Sequence, residues 1–377
     1  MEELKIHVPS YFPEFQCKCG DCRVPCCSGW GIGISMKDYF RLLSIDCSPE
    51  LREKLDGAIA VLADSTEGRY AKLEPDWTGH CKLQRKSDGY CMLQCECGEE
   101  AIPAVCRFYP RGFHNAFEAT GAMANSCERT LELLAADPNP VTFVEVNRPE
   151  AMPEVHEEAN EFAVEDRALR DTCIRLLEDR SRSLSERLIE VGKLVSREPS
   201  SPHDAVASRE PSLPYDAVLS VIWILAKDSA SLGDEVEEIR KRFHLNGPET
   251  DDVEKAAFIE KYTALCNEYE KRFPNWEICF EKMMVNHLWF EGFPYSDRHE
   301  DLFSEYLALA AVYGMVHFLN VCLLTEETEN PAERFIDVNA AAFRLIEHSN
   351  FTWNAPLVLK ECGIRDLDSA IAFVKTI

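Results

Sequence analysis

Twelve of the 17 cysteines fall within residues 1–127, and five of them sit in the stretch FQCKCGDCRVPCCSGW that begins at Phe15. Cys17, Cys19, Cys22, Cys26 and Cys27 form a first group; Cys81, Cys91, Cys95 and Cys97 a second; Cys106 and Cys127 follow singly, and Cys47 stands between the two groups. Thiolates bind zinc and iron–sulfur clusters, and short spacers let one loop give several ligands while distant segments supply the rest. Structural zinc and a four-iron cluster each take four thiolates, so twelve cysteines are enough for two such sites. Cys19 and Cys22 make one CxxC pair, but a clean second is absent. Cys22 and Cys26 meet the first interval of CxxxCxxC, the pattern of radical enzymes that cleave S-adenosylmethionine, yet position 29 is glycine and that reading fails. Adjacent Cys26 and Cys27 cannot easily aim both sulfurs at one small ion, so one of them either faces a second centre or packs inward. Histidines are not mixed into the groups, which leans toward iron–sulfur, with zinc as the alternative.

A chain of 377 residues with 46% hydrophobic residues can furnish its own core and has no need of cross-links merely to stay folded. The start, MEELKIHVPSYFPEF, has no basic flank followed by an apolar run, and no stretch of eighteen apolar residues is visible. The reading is a cytoplasmic protein without a membrane span, where a disulfide framework is disfavoured. Of the formal charge of −26, residues 1–130 hold −4 (15 Lys or Arg against 19 Asp or Glu), which leaves −22 for residues 131–377. Such a surface repels nucleic-acid phosphates; it either steers a basic partner or serves solubility alone.

The elements that must position the thiols are short. WGIGI reads as a strand leading into a helix MKDYFRLLS, PELREKLDGAIAVLA as another helix, and SDG punctuates two strand-like pieces in DWTGHCKLQRKSDGYCMLQ. Beyond residue 150 the apolar residues recur at three and four, the helical period, in a series of windows from EEANEFAVEDRALRDTCIRLLED to AERFIDVNAAAFRLIEHS. The expectation is a mainly α protein: a cysteine-rich metal-binding lobe of short helices and strands over residues 1–130, then an acidic helical bundle over 131–377. A flexible, proline-bearing segment is expected near 197–214. Cys173, Cys266, Cys279, Cys322 and Cys362, with Trp223, Trp289 and Tyr313, read as core residues.

GWGIG at 29–33 has the first spacing of a dinucleotide loop, but a cysteine cluster rather than a hydrophobic strand precedes it, so a tight turn is expected. No phosphate loop, zinc-protease helix or serine nucleophile elbow is present. Arg107 and Arg111 bracket PheTyrPro; they either offset thiolate charge, bind an anionic cofactor or make surface salt bridges.

The pattern resembles the flagellin lysine N-methylase family, which has a cysteine-rich zinc- or iron-chelating region. The resemblance begins at Tyr11 and Phe15 before Cys17, runs through Cys22 and CCSGWGIGI, and resumes at Cys81, at CMLQ from Cys91, at GEEAIPAVCRFYPR and at Cys127. EKMMVNHLWFEGFP, with Glu281, Asn286 and Pro294, then SEYLALAAVYG and LIEHS, add matches in the second half; residues 135–270 contribute little.

The resemblance implies an S-adenosylmethionine-dependent protein-lysine N-methyltransferase acting on flagellin and carrying an iron–sulfur cluster, expected as 4Fe-4S. It implies Cys17, Cys22, Cys26, Cys27, Cys81, Cys91, Cys106 and Cys127 as ligands; Cys19, Cys95 and Cys97 depart from the usual pattern as extra thiols. A lysine amine, with an ordinary pKa of about 10.4, must be neutral to attack a sulfonium methyl, so the site should desolvate it and offer a proton acceptor. Glu281, His287, Glu347, His348 and the tyrosines between 295 and 313 are the candidates, with Arg107 and Arg111 as cofactor-binding residues. The expected partner is flagellin or another lysine-bearing protein, with no nucleic acid and no membrane. The competing readings are a non-enzymatic zinc- or iron-binding protein and an electron-transfer module.

Overall fold

The computed structural model describes residues 5–114, 120–147, 164–196, 214–247, 250–294 and 301–377. The chain opens with β1 (Lys5–Pro9), passes through the first cysteine group, and enters β2 (Ile32–Ile34), α1 (Met36–Ser44), α2 (Pro49–Ala58), β3 (Ile59–Val61) and β4 (Ala71–Leu73). Ser35 caps α1 by accepting from the Asp38 N–H, and Ser48 caps α2 ahead of Pro49, whose missing N–H costs nothing in a first turn. The strand and helix expected from WGIGI and MKDYFRLLS are both present. PELREKLDGAIAVLA divides: its helix stops at Ala58, and the β-branched IAV pairs with β4 as an edge strand. Strands β2, β4 and β3 make an antiparallel sheet, with Ile32 opposite Leu73 and Ile34 opposite Ala71.

Two short helices follow, α3 (Met92–Cys97) and α4 (Ala104–Phe108), then β5 (Arg111–His114), β6 (Thr120–Met123), α5 (Glu128–Ala136) and β7 (Phe143–Asn147). The second sheet has the order β5-β6-β1-β7. Its β1 lies parallel to β6 and antiparallel to β7, with His7 opposite both Thr120 and Glu145, so it draws strands from both sides of residue 130.

The remainder is helical: α6 (Val164–Leu177), α7 (Leu184–Val195), α8 (Pro214–Leu225), α9 (Gly233–Phe243), α10 (Asp252–Arg272), α11 (Trp276–Glu291), α12 (Leu302–Leu323), α13 (Pro331–His348), α14 (Phe351–Glu361) and α15 (Leu367–Thr376). The expectation of a mainly helical protein holds. The proline-bearing segment lies, apart from Pro214 at the start of α8, outside the described residues. Helix α12 is the central element and packs on α7, α8, α13 and α14. Its approach to α7 depends on Gly192, where a Cβ would come within 2.5 Å of the Tyr306 ring. Although no eighteen-residue apolar run stands out in the sequence, α12 is long and apolar enough to cross a bilayer, with a mean hydropathy of 1.7. That stretch is entirely buried, and an all-round apolar helix is what the middle of a bundle requires.

Burial divides the molecule into two cores. The small one is built from residues such as Ile34, Leu42, Leu51, Leu55, Leu73 and Leu93. The large one joins Ile6, Val8, Phe12, Phe15, Met123 and Leu131 to the helices from α6 onward. Cys173 and Cys322 are fully buried in it, Cys266, Cys279, Cys362 and Trp223 pack against it, and Trp289 and Tyr313 are buried within it.

Candidate functional site: a thiol-lined cavity between two cores

A cavity of about 530 Å³ is lined by all eight cysteines of the family pattern and by Cys19; Cys95 and Cys97 do not reach it. All 17 cysteines are free thiols. Convergence is achieved by backbone pairing across long sequence distances. The Cys81 N–H donates to the Cys27 carbonyl at 2.6 Å, and the Met92 N–H to the Leu83 carbonyl at 2.8 Å, which lays the Cys91 segment beside the Cys81 segment. Cys91 immediately precedes α3, Cys127 immediately precedes α5, and Cys106 lies within α4.

The segment carrying Cys17 and Cys22 is clamped onto α5. Lys18 pairs with Glu128 and, at 2.7 Å, with Glu132, while the Val24 N–H donates to Glu128 at 2.9 Å. Burial pushes the Glu128 carboxyl up, but Lys18, the Val24 N–H and Arg23 outweigh that and hold it below its usual range.

Burial also makes the thiols reluctant to ionise. Cys22 is pushed up to about 12 by burial, then by the Glu128 charge and neighbouring sulfurs, and Cys19, Cys81 and Cys127 to about 11 by burial first, with neighbouring sulfurs adding to it. Cys26 lies well above the usual thiol range, through its hydrogen bond with Cys27 and then burial. A bound cation would remove that penalty, since metal binding and thiol deprotonation are coupled. Among the described residues, no three His, Cys, Asp or Glu side chains converge closely enough to hold a single metal ion. The sulfurs are distributed over the walls, whereas a lone tetrahedral ion with metal–sulfur bonds of about 2.3 Å would need them roughly 4 Å apart. A donor set of soft thiols around a roomy cavity fits a polynuclear group better than one ion.

Arg107 and Arg111 both line the cavity. Arg107 pairs with Glu100. The Arg111 guanidinium lies over the rings of Phe12 and Phe15 and donates to the Phe15 carbonyl at 3.2 Å. Burial lowers its pKa, partly offset by the thiols of Cys17 and Cys127.

Of the four candidate catalytic residues, His348 alone lines the cavity. Its Nε2 lies 2.8 Å from Ser126 Oγ, which is 3.0 Å from the Tyr109 hydroxyl, and its ring centroid is 4.4 Å from that of Trp30. Burial, then the Arg344 charge, takes His348 down to about 4, so it is neutral at neutral pH. Glu347 stands directly behind. Its carboxyl accepts from the N–H groups of Asn125 and Ser126 at 3.2 and 3.0 Å, yet full burial still pushes it up to about 8. His287 Nδ1 is 3.7 Å from Glu347. Asn286 donates to the Met123 carbonyl and to Asn125 Oδ1, both at 2.7 Å, and accepts from the Tyr11 hydroxyl. Tyr11, Asn286, Glu347 and His348, four residues that carried the family resemblance from opposite ends of the chain, thus belong to one buried network.

Glu281 stands apart. Its fully buried carboxylate is held by Arg180 at 2.7 Å and Arg187 at 2.7 Å, and it does not line the cavity. That arrangement fixes α11 against the helices before it. Tyr306 and Tyr313 are buried in α12, and Tyr295 lies outside the described residues.

Arg344 escaped sequence reasoning. From α13 it donates to the carbonyls of Ser28 at 3.0 Å and Val24 at 3.2 Å, and lies over the Trp30 ring at 4.8 Å. It stands three and four residues before Glu347 and His348, on one helical face, and that spacing is the signal that could have found it.

Residues 212–372 match the family model described as FliB lysine N-methylase C-terminal domain, which supports the flagellin lysine N-methylase family for this chain. No curated protein and no solved structure matches.

Proposed function

We propose that this chain methylates lysine side chains of flagellin with S-adenosylmethionine as donor, and that its cavity thiols carry an iron–sulfur cluster. One observation supports the reading above others. Helix α13 lies inside the stretch matched by the methylase domain, and it is this helix that brings His348 to the wall of the cysteine cavity.

In the transfer, the lysine nitrogen forms a bond to the methyl carbon as the carbon–sulfur bond of the donor breaks, and the nitrogen loses a proton. In this reading His348 takes it, since it lines the cavity and Ser126 and Tyr109 continue a hydrogen-bonded path from its Nε2. The acidic body draws a basic protein surface but also favours protonated lysine, so desolvation at the cavity must outweigh it. Arg111 offers a positive group for an anionic part of a cofactor. The eight pattern cysteines would hold the cluster, which when bound supplies folding energy to the loops of the cavity and a redox-capable centre.

Metal-loaded protein prepared without oxygen, incubated with methyl-labelled S-adenosylmethionine and flagellin, should yield lysines carrying the label by mass measurement. Fully loaded protein that labels no lysine would leave a metal-binding protein without this activity.

A further inference from the structure

Two thiols of the small lobe lie outside the cavity wall and beside each other. Cys47 stands in the turn between α1 and α2, and Cys97 ends α3. The end of α3 grips that turn on both sides of Cys47. The Cys97 thiol donates to the Asp46 carbonyl at 3.8 Å, and the Glu96 carboxylate accepts from the Ser48 N–H and, at 2.8 Å, from the Ser48 hydroxyl. Cys47, bracketed by these two attachments, sits close enough to Cys97 for each sulfur to feel the charge of the other. Both are free, half-buried thiols at the edge of the small core.

The two sulfurs have unlike surroundings. The Arg52 guanidinium donates to Cys47 Sγ at 3.6 Å, and its bonds to the Leu42 and Ile45 carbonyls at 2.9 and 3.1 Å fix it there. A cation held beside a sulfur supports attack by the thiolate. Burial, then the Glu96 charge, hold Cys97 above the usual thiol range, so it stays protonated. That is the division between an attacking thiol and a resolving one.

We propose that Cys47 and Cys97 form a reversible oxidation site, at which hydrogen peroxide oxidises Cys47 and Cys97 then closes a disulfide from the end of α3 to the turn between α1 and α2. In the first step the Cys47 thiolate attacks a peroxide oxygen and the O–O bond breaks. Hydroxide leaves, takes a proton to become water, and Cys47 is left as a sulfenic acid. In the second, the Cys97 sulfur attacks the Cys47 sulfur, the S–O bond breaks, and the oxygen departs with the Cys97 proton as water. Two thiols and one peroxide thus give one disulfide and two waters, the sulfurs losing the two electrons that the peroxide gains. The bond closes a loop that contains Cys81 and Cys91, so oxidation constrains two segments of the cavity wall.

The inference depends neither on metal binding nor on methyl transfer. The test is limiting hydrogen peroxide added to the reduced full chain, followed by blocking of the remaining thiols and mass mapping of peptides. The expected product is a Cys47–Cys97 linked peptide, two hydrogens lighter than its free halves and lost on adding dithiothreitol. In Cys97→Ser, a diketone probe that traps sulfenic acids should mark Cys47; in Cys47→Ser, Cys97 should be recovered as a free thiol. Cys95, two residues from Cys97 and on another side of α3, should be dispensable, so Cys95→Ser should form the same link as the wild-type chain. Free Cys47 and Cys97 after peroxide treatment overturn the proposal, as does linkage of either one to another cysteine in its place. Probe on Cys97 in Cys47→Ser, with none on Cys47 in Cys97→Ser, overturns the order of attack. The wild-type map gives the first answer, which no folding defect in a variant can obscure.

Discussion

The small core and the large core are built by different means. In the helical body, α12 is buried along nearly its whole length, and its Phe318 shares the core with Phe280 of α11 and Phe343 of α13, so apolar burial alone can carry its stability. The small lobe has three-residue strands, short helices and a core of about a dozen side chains, and its cavity wall is thiols instead of leucines. A lobe of that size approaches the limit at which a single core suffices without a staple. The comparison teaches that the chain packs apolar side chains in depth where its helices are long and gathers its thiols where the apolar core is small.

The sharpest way to break this contrast is to strip metal from loaded protein with a chelator. Residues 30–108 should become protease-sensitive while the far-ultraviolet helical signal persists; a single cooperative loss of both would contradict two independently held regions. Next in size, Glu281→Ala should cost the body about 3–5 kcal/mol in urea unfolding, because it leaves Arg187 buried without its carboxylate. Metal content should be unchanged, since Glu281 is remote from the cavity wall.

A pH dependence of similar kind belongs to the body. His317 is fully buried among Tyr262, Trp276 and Tyr313, and burial takes it down to about 4 from the usual 6.5. The unfolded chain gains a proton on this ring near pH 6.5 while the folded chain refuses it until about pH 4, so stability is present above that window and lost as pH falls through it. The difference corresponds to about 3 kcal/mol, and His317→Gln should lose that part of the slope between pH 7 and pH 4.5. An identical slope in both proteins would remove the claim.

Arg344→Met should cost about 2 kcal/mol, since the Val24 and Ser28 carbonyls lose their donor, and it should lower metal retention more than it lowers helix stability. The smallest effect is expected at Trp77, which is 92% exposed: Trp77→Ala should change unfolding by less than about 0.5 kcal/mol.

Much of the body was legible because long amphipathic or apolar runs have one stable solution. α10, α11, α12 and α13 occur where the helical period places them, and Asp251 and Asp301 cap two of them. α14 was not legible, since Pro356 inside it reads as a breaker, and α9 opens at a glycine, which weakens the same signal. The pairing of β1 with β7 was equally hidden: five-residue strands about 140 positions apart leave no local trace of their partner. In the site, the family resemblance named eight thiols that line one cavity, but nothing local separated Glu281 from Glu347. One faces two arginines and the other two backbone N–H groups, and both are simply glutamates on helices.

By itself the sequence determined the helical periods, the caps, the uneven charge and the set of thiols, because each depends on near neighbours or on residue chemistry. Tertiary structure alone decided how the thiols come to line one cavity, that His348 reaches it, and that Arg344 reaches back over more than three hundred residues to the cysteine loop. Those are meetings between distant segments, and they depend on how two cores pack, a property that no window along the chain contains.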